Sequence, residues 1–332
     1  MEWLQALTLG VLQGLTEFLP ISSSAHLRIF PELFGWEDPG AAFTAVVQIG
    51  TELAVLIFFR HDIWRILSAW SRSLVNPEWR GHRDALLGWY IILGTIPVVI
   101  GGITLKDAIE NDFRNLWITG TVLIALGVVL GIAERVGRMN RPIAELGWRS
   151  ALLLGLAQAL SLVPGVSRSG ATISMGLFLG YERAAATRFA FLLAIPAVVG
   201  AGIFELPEAI HGDNQYTVPE TAVATLVAFF VGYASIAWLL RYVATNSYAP
   251  FVAYRIVLGT LVLVLLSTGV LTPCRPHALT PLEPAGALEG PVEAVRQRQH
   301  DQQRQRVAEA PLELRHDLEV HAIDAGHQRG DQ

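Results

Sequence analysis

Charged residues are scarce in this sequence. Only 16% of its 332 residues are Asp, Glu, Lys or Arg, whereas 52% are hydrophobic. Soluble domains carry about a quarter charged residues. The composition therefore favours a protein that crosses a membrane several times over a soluble domain.

Cysteine and lysine are almost absent, and both absences exclude classes of site. Cys274 is the single cysteine, so an intrachain disulfide is excluded, and no Cys/His cluster has zinc spacing. Lys106 is the single lysine, and the Gly-Lys-Ser/Thr sequence of a nucleotide-binding P-loop does not occur. The acid-phosphatase pattern is excluded as well, because Ser174 stands where that pattern needs a histidine.

Six long apolar runs predict transmembrane helices, since each has about the 20 residues that a helix needs to cross the hydrocarbon core. The runs lie near residues 41–59, 86–105, 116–133, 189–206, 219–240 and 249–271. Two further regions, 3–35 and 150–182, are apolar but interrupted near their centres, which predicts re-entrant helix hairpins. The expected fold class is an all-α integral membrane protein with about six transmembrane helices and two re-entrant hairpins.

The two halves of the chain repeat each other in short sequences. Gly10-Val-Leu-Gln13, which precedes Pro20, resembles Gly155-Leu-Ala-Gln158, which precedes Pro164. Arginines crowd the loops after the first and third runs, which predicts that these loops are cytoplasmic and that the hairpins enter from opposite faces. We therefore expect an inverted-topology repeat with halves of about 1–110 and 150–271. Chance similarity among common membrane residues is the alternative.

The sequence changes character after Leu271. Residues 272–332 are rich in Pro, Gln, Arg, Glu and His and contain no run that could span a membrane. Such a composition cannot bury enough apolar surface to fold by itself. We expect a membrane domain of residues 1–271, followed by a polar and disordered C-terminal tail.

Serine-rich turns interrupt the two hairpins, and each turn follows a proline. The first is Pro20-Ile-Ser-Ser-Ser-Ala-His26, and the second is Pro164-Gly-Val-Ser-Arg-Ser-Gly-Ala-Thr172. Hydroxyl, imidazole and guanidinium groups are costly next to lipid unless they face a partner or a polar cavity. An interrupted helix is tolerated there only where protein or water satisfies the freed backbone groups. The turns therefore predict a buried polar site.

The residue types of both turns suit a phosphate group. A helix that begins after each turn offers free N–H groups and a positive potential. Ser22–Ser24 in the first turn, and Ser167 and Ser169 in the second, are residues that commonly cap helix starts. Arg168 adds a guanidinium that can bind phosphate oxygens in a bidentate manner.

Ionisable groups accompany the first turn. Gln13 and Glu17 are four residues apart and share a helix face, and His26 lies one turn beyond Ser22 and Ser23. Each residue alone could have a structural role, since serines in membrane helices commonly bond to neighbouring backbone. The combination with Arg168 favours a functional site.

Glu52 is a further candidate within the first predicted span. We expect it either to face the same cavity or to pair with an arginine such as Arg255.

These motifs resemble the undecaprenyl-diphosphate phosphatases of the bacterial bacitracin-resistance type. The matching segments are Gln13–His26, Pro164–Thr172, Phe191–Pro196 and Ala253–Arg255, so the resemblance covers about residues 1–271. It implies a multi-pass enzyme of the bacterial inner (plasma) membrane that removes the terminal phosphate from undecaprenyl diphosphate. Its product would be the monophosphate carrier of peptidoglycan precursors.

The resemblance also implies roles for individual residues. The catalytic residues would be Glu17, Ser23, His26 and Arg168, and the substrate-binding residues would be Gln13, Ser22, Ser24, Ser167, Ser169, Gly170 and Thr172. Many members have glutamate at the place of Gln13, so Glu17 acts with a neutral helper here. A divalent cation, Mg²⁺ or Ca²⁺, would be held by Glu17 with Gln13 assisting.

Two mechanisms stay open at this point. In one, Ser23 is the nucleophile and His26 is its base or the acid for the leaving phosphate. In the other, His26 or Glu17 activates water directly. The expected partners are the polyprenyl diphosphate lipid and the bilayer, without nucleic acid, and a homodimer stays open.

A different class of function is the main alternative. Inverted repeats with paired broken helices are typical of transporters, so the same cavity could serve a transporter or flippase of a polyprenyl phosphate. Such a carrier needs Arg168 and the helix starts, but it has little use for Ser23 and His26 beside Glu17. A purely structural scaffold is a third alternative, and it leaves the buried polar groups unexplained.

Overall fold

The structure is a computed structural model that describes residues 2–105, 115–211 and 216–272, without the side chains of 41 and 204–211. These residues form eleven α-helices and no β-sheet. The helices are α1 (Glu2–Phe18), α2 (Ser23–Phe34), α3 (Gly40–Phe58), α4 (Arg60–Val75), α5 (Arg83–Thr104), α6 (Leu116–Val136), α7 (Trp148–Ala159), α8 (Arg168–Phe178), α9 (Arg183–His211), α10 (Val218–Thr245) and α11 (Ala249–Ser267).

Five of these helices are long and apolar enough to cross a membrane, namely α5, α6, α9, α10 and α11. Helices α3 and α4 meet at a bend of 69° and make a sixth span if they are taken together. The count confirms the predicted all-α, multi-pass membrane protein with about six transmembrane helices. The predicted tail lies outside the described residues apart from Thr272, so it stays a prediction together with the domain boundary.

The segment after the first predicted span is not a loop, contrary to the sequence-based expectation. Residues Arg60–Val75 form α4, which buries Ile66, Ala69 and Ser73 along one face. Trp64 lies on the opposite face and is 76% exposed. Apolar residues at helical spacing within an arginine-rich segment favour an amphipathic helix. A count of arginines alone does not detect this spacing.

Both serine-rich turns interrupt a helix as predicted, the first between α1 and α2 and the second between α7 and α8. Pro20 and Pro164 lack the N–H that a continuing helix would need, which explains the breaks. Ser22 has φ 76° and Gly165 has φ 94°. The left-handed conformation costs glycine little, but it strains a serine, so the surrounding structure must stabilise Ser22.

The two halves pack against each other reciprocally. Helix α1 of the first half packs on α10, and α7 of the second half packs on α5. A Cβ on Gly10 would lie 2.5 Å from the carbonyl oxygen of Ala224, and one on Gly155 would lie 2.2 Å from that of Gly94. The repeated sequences therefore place equivalent glycines at equivalent close contacts, which supports the predicted inverted repeat.

Arg255 of α11 joins the two broken helices. It is 1% exposed, and its guanidinium donates to Pro20 O at 3.2 Å, Gly165 O at 2.9 Å and Leu123 O at 3.3 Å. The first two carbonyls belong to the two breaks, where the helical N–H donors are missing. The predicted pairing of Glu52 with Arg255 is wrong, because the hydrogen bonds of the guanidinium go to backbone oxygens.

Gly155→Ala is expected to destabilise the fold, because the new Cβ would collide with the backbone of α5. We expect a loss of about 1–3 kcal/mol, typical of overpacking, measured by thermal unfolding in detergent. Gly102→Ala in α5 is the matched control, since a Cβ there meets no heavy atom within 4 Å. Equal stability of the two variants would contradict the close helix contact.

Arg255→Lys is expected to loosen both turns together, because one ammonium cannot replace a guanidinium that binds three separated carbonyls. Amide hydrogen exchange at residues 19–25 and 163–169 should accelerate by about tenfold or more, as expected for loss of a charged hydrogen bond. Arg241→Lys, at an exposed arginine of α10, should leave both segments unchanged. Acceleration in only one turn would show that the arginine does not join them.

Candidate active site

The break after α1 brings Ser23 onto the carboxylate of Glu17. Ser23 Oγ donates to Glu17 Oε2 at 2.7 Å, and Gln13 Nε2 donates to the same oxygen at 3.3 Å. Glu17 lies in the last turn of α1, whereas Ser23 is the first residue of α2. A serine hydroxyl that donates to a carboxylate is in position to lose its proton to that carboxylate.

His26 is buried next to this pair, but both of its ring nitrogens have other partners. Nδ1 lies 2.7 Å from Ser22 O, and Nε2 lies 2.7 Å from the hydroxyl of Tyr254. Since a carbonyl only accepts, Nδ1 donates, and in the neutral imidazole Nε2 then accepts from the phenol. The hydroxyl of Ser23 therefore has Glu17 rather than His26 as its partner in this arrangement.

Serine hydroxyls connect the two turns directly. Gly165 N donates to Ser24 Oγ at 3.4 Å, and Ser169 Oγ donates to Leu19 O at 3.2 Å. In the second turn Ser167 caps α8 as predicted, because its Oγ accepts from Gly170 N at 3.1 Å. The two turns are consequently joined by hydrogen bonds to each other, and both also bond to Arg255.

The predicted capping of α2 by a serine side chain is wrong. Ser22 is the N-cap residue, but its side chain makes no capping hydrogen bond, and its Oγ lies 3.2 Å from Ser24 Oγ. The backbone of Ser22 is left-handed, and its hydroxyl contacts Ser24 instead of a free N–H group of α2. The start of α2 thus lacks an N-cap side chain, which leaves its N–H groups suited to an anion.

Arg168 begins α8 and points toward Glu17. Its Nη2 lies 3.9 Å from Glu17 Oε1, and its buried Nη1 has no hydrogen-bond partner. A buried donor without a partner costs about 1–3 kcal/mol, and more when it is charged. The unused donor indicates a binding position for an anion.

Gly170 and Thr172 shape the second turn. A Cβ on Gly170 would lie 3.2 Å from Ser167 Oγ and 3.3 Å from Arg255 Nη1, so glycine leaves room for both groups. Thr172 Oγ1 donates to Arg168 O at 2.9 Å within its own helix. Both residues therefore support the position of Arg168, and their predicted contact with substrate stays a prediction.

A small, partly open cavity lies beside Glu17 and Arg168. Its polar wall also contains Thr51, Glu52 and Ser169, which confirms the expectation that Glu52 faces the same cavity. The other lining residues are apolar, namely Phe18, Val55, Ala190, Phe191, Ala194 and Val198. A cavity lined by both charged and apolar side chains suits an amphiphile such as a lipid phosphate.

Sequence reasoning missed three contributors to the site. Tyr254 is the partner of His26, Thr51 receives the amide of Gln13 at 3.5 Å, and Arg255 connects the turns. The sequence offered one signal for these contributors. Arg255 lies inside an apolar span, where a charged residue is rarely without a role.

The residues present fit a divalent cation that is partly held by substrate. Gln13 is 1% exposed, and its Oε1 has no hydrogen-bond partner although it lies on the side chain that contacts Glu17. Across the described parts of the chain, no group of three His, Cys, Asp or Glu residues could hold a metal. Mg²⁺ commonly binds one or two carboxylates together with phosphate oxygens and water. The donor set therefore fits a metal site whose coordination is completed by phosphate oxygens and water. It does not fit a site in which the protein supplies every ligand.

Comparison with known proteins agrees with this geometry. The family model described as "Bacitracin resistance protein BacA" matches residues 6–261. An undecaprenyl-diphosphatase of a Nocardioides species is 67% identical over 270 residues, which is 81% of this chain and 98% of that protein. The undecaprenyl-diphosphatase 2 of Streptomyces coelicolor is 54% identical and matches 82% of this chain and 98% of its own length.

A third relative extends the similarity. The undecaprenyl-diphosphatase of Micrococcus luteus is 53% identical over 82% of this chain and all of its own length, 100%. The matched region contains both broken helices and the buried arginine that joins them. This chain belongs to the BacA family of bacitracin resistance proteins.

Proposed function

We propose that this protein is an undecaprenyl-diphosphate phosphatase of the bacterial inner membrane. It hydrolyses undecaprenyl diphosphate to undecaprenyl phosphate and inorganic phosphate, which recycles the lipid carrier for peptidoglycan synthesis and confers bacitracin resistance. The observation that carries the proposal is the hydrogen bond from Ser23 to Glu17, beside the unused donor of Arg168. The relatives named undecaprenyl-diphosphatase support the same activity.

In the proposed complex the two ends of the substrate lie in different surroundings. The diphosphate lies between the two turns, where Arg168 Nη1 and the start of α2 supply donors for phosphate oxygens. The first isoprene units lie along the apolar lining residues, which include Phe191 and Val198. Charge neutralisation and positioning are most of what phosphoryl transfer requires from a protein.

The geometry favours Ser23 as the nucleophile and Glu17 as its base. Ser23 Oγ attacks the terminal phosphorus while Glu17 accepts the hydroxyl proton over the 2.7 Å contact. The bond from phosphorus to the bridging oxygen breaks, and undecaprenyl phosphate leaves. Water then attacks the phosphoserine, gives a proton to the serine oxygen and releases inorganic phosphate, with Glu17 mediating the transfer.

His26 keeps its proposed role as acid for the leaving phosphate only by way of Tyr254. The acid in this role is the imidazolium, whose Nε2 proton passes to the Tyr254 oxygen while the phenol gives its own proton to the leaving phosphate. Direct activation of water by Glu17 is the competing mechanism, in which Ser23 only orients the carboxylate.

Glu17 and Gln13 would hold a divalent cation, Mg²⁺ or Ca²⁺, together with phosphate oxygens. When bound, it would neutralise negative charge on the diphosphate. The assembly of two chains into a homodimer stays a prediction.

A transporter or flippase of a polyprenyl phosphate is the second candidate, and the reciprocal packing of α1 and α7 favours it. Such a carrier gains nothing from a serine hydroxyl bonded to a glutamate. The Ser23–Glu17 contact therefore distinguishes the phosphatase from the carrier.

Purified protein in detergent is expected to release inorganic phosphate from undecaprenyl diphosphate, and EDTA should abolish the release. Glu17→Gln and Arg168→Ala should each lower kcat by about 100-fold or more, as for lost general bases and charge donors. His26→Ala should also reduce the rate. Absence of phosphate release from folded wild-type protein would favour the transporter.

Ser23→Ala is expected to abolish turnover, because no other hydroxyl among the described residues donates to Glu17. Acid quenching of the wild-type reaction should trap phosphoserine on the peptide that contains Ser23. Ser174→Ala is the matched control, because its buried hydroxyl donates to Gly170 O within α8 and is remote from Glu17 in the hydrogen-bond network. Full turnover by Ser23→Ala would support direct attack by water instead.

A further inference from the structure

A second carboxylate shares the cavity with Glu17, and the reaction steps above do not use it. Glu52 of α3 lines the cavity together with Glu17 and Arg168. It is 9% exposed, so its carboxylate is held inside the protein rather than at the surface. Intramembrane carboxylates are costly and generally have a functional role.

The side chain of Glu52 is positioned by its own helix and by α9. Gln48 Nε2 donates to Glu52 Oε1 at 3.1 Å, one turn earlier on α3. Gly202 of α9 leaves space for the other oxygen, because a Cβ there would lie 2.6 Å from Glu52 Oε2. The adjacent residue Thr51 receives the amide of Gln13 at 3.5 Å. Thr51 and Glu52 both line the cavity beside Glu17.

A bound diphosphate brings further negative charge to a cavity that already contains two carboxylates. Among the described residues that line it, Glu17 and Glu52 are acidic and Arg168 is basic. Repulsion between like charges is strong where solvent is scarce. A dication that contacts both carboxylates and the phosphate oxygens would reduce the repulsion between them.

Gln13 provides an independent sign of a missing cation. Its amide nitrogen bonds to Glu17 and Thr51, but its oxygen is buried and has no hydrogen-bond partner. Buried polar atoms in native structures are rarely left without a partner. An amide oxygen next to carboxylates is an ordinary ligand for Mg²⁺ or Ca²⁺.

We propose that Glu52 is a ligand of the divalent cation in this chain. With Glu17 it forms a site of two carboxylates, which the neutral oxygen of Gln13 and the phosphate oxygens of the substrate complete. The assignment rests on the proposed function, because the phosphate oxygens come from that substrate. Glu52 supplies the second negative charge that Gln13 cannot supply.

The test is Mn²⁺ binding to the purified full-length protein, followed by electron paramagnetic resonance without substrate. Glu52→Gln removes the charge but keeps the size of the side chain and an oxygen for Gln48. We expect the dissociation constant for Mn²⁺ to rise by about tenfold or more. The Mg²⁺ concentration that gives half-maximal phosphate release should rise similarly, and the thermal unfolding temperature without metal should stay unchanged.

Glu220→Gln is the matched control, and it should bind Mn²⁺ like wild type. Glu220 is 3% exposed, but its carboxylate caps its own helix, α10, by accepting from Thr217. A glutamine at that position retains a capping oxygen.

A compensating variant separates metal binding from packing. Gln13→Glu in the Glu52→Gln background restores a second carboxylate beside Glu17, so it should recover most of the Mn²⁺ affinity. Wild-type affinity in Glu52→Gln, or lost affinity without recovery in the double variant, would overturn the assignment. If Glu52→Gln weakens Mn²⁺ binding but wild type releases no phosphate, the proposed function fails while the cation site stands.

Discussion

Three backbone carbonyls converge on the buried guanidinium of Arg255, and the position of both serine-rich turns depends on it. A helix that breaks inside an apolar layer leaves carbonyl groups without their usual N–H donors. Pro20 O and Gly165 O come from different halves of the chain, and the planar guanidinium binds both. Arginine suits this position because its donors are fixed in one plane and need no acidic partner to be satisfied.

The chemistry of the site follows from this connection. With the breaks held together, Ser24 and Ser169 bond across to the opposite turn, and Glu17 lies between Ser23 and Arg168. The site is not fully satisfied within the protein, since an arginine nitrogen and an amide oxygen stay without partners. An unused hydrogen-bond donor suits a bound anion, and an unused oxygen suits a bound cation. A diphosphate with a metal ion would provide both.

Much of the architecture could be predicted from residues whose local effect is strong. Pro20 and Pro164 predicted the helix breaks, and the repeated sequences at Gly10 and Gly155 predicted a repeat. The structure adds that these two glycines lie at equivalent close contacts. The prediction that a serine side chain caps α2 was wrong. The left-handed backbone of Ser22 depends on tertiary contacts, which no local sequence pattern encodes.

The partners within the site could be predicted less well. Ser23 and Glu17 are six residues apart, a spacing that neither helix geometry nor strand geometry brings together, so only the shape of the break pairs them. Tyr254 reaches His26 across 228 positions of sequence. Such contacts depend on how α11 packs against the turns, and the sequence motifs show the residues but not their pairing.

The most direct test of a single site formed by both turns is a double-mutant cycle on ligand affinity. A non-hydrolysable methylene-diphosphonate analogue of undecaprenyl diphosphate would be titrated into wild type, Ser23→Ala, Arg168→Ala and the double variant. Because both residues approach Glu17 and act on the same phosphates in the proposed mechanism, their effects should be coupled by more than about 0.5 kcal/mol. Effects that add within about 0.3–0.5 kcal/mol would show that the turns act independently and would contradict the account.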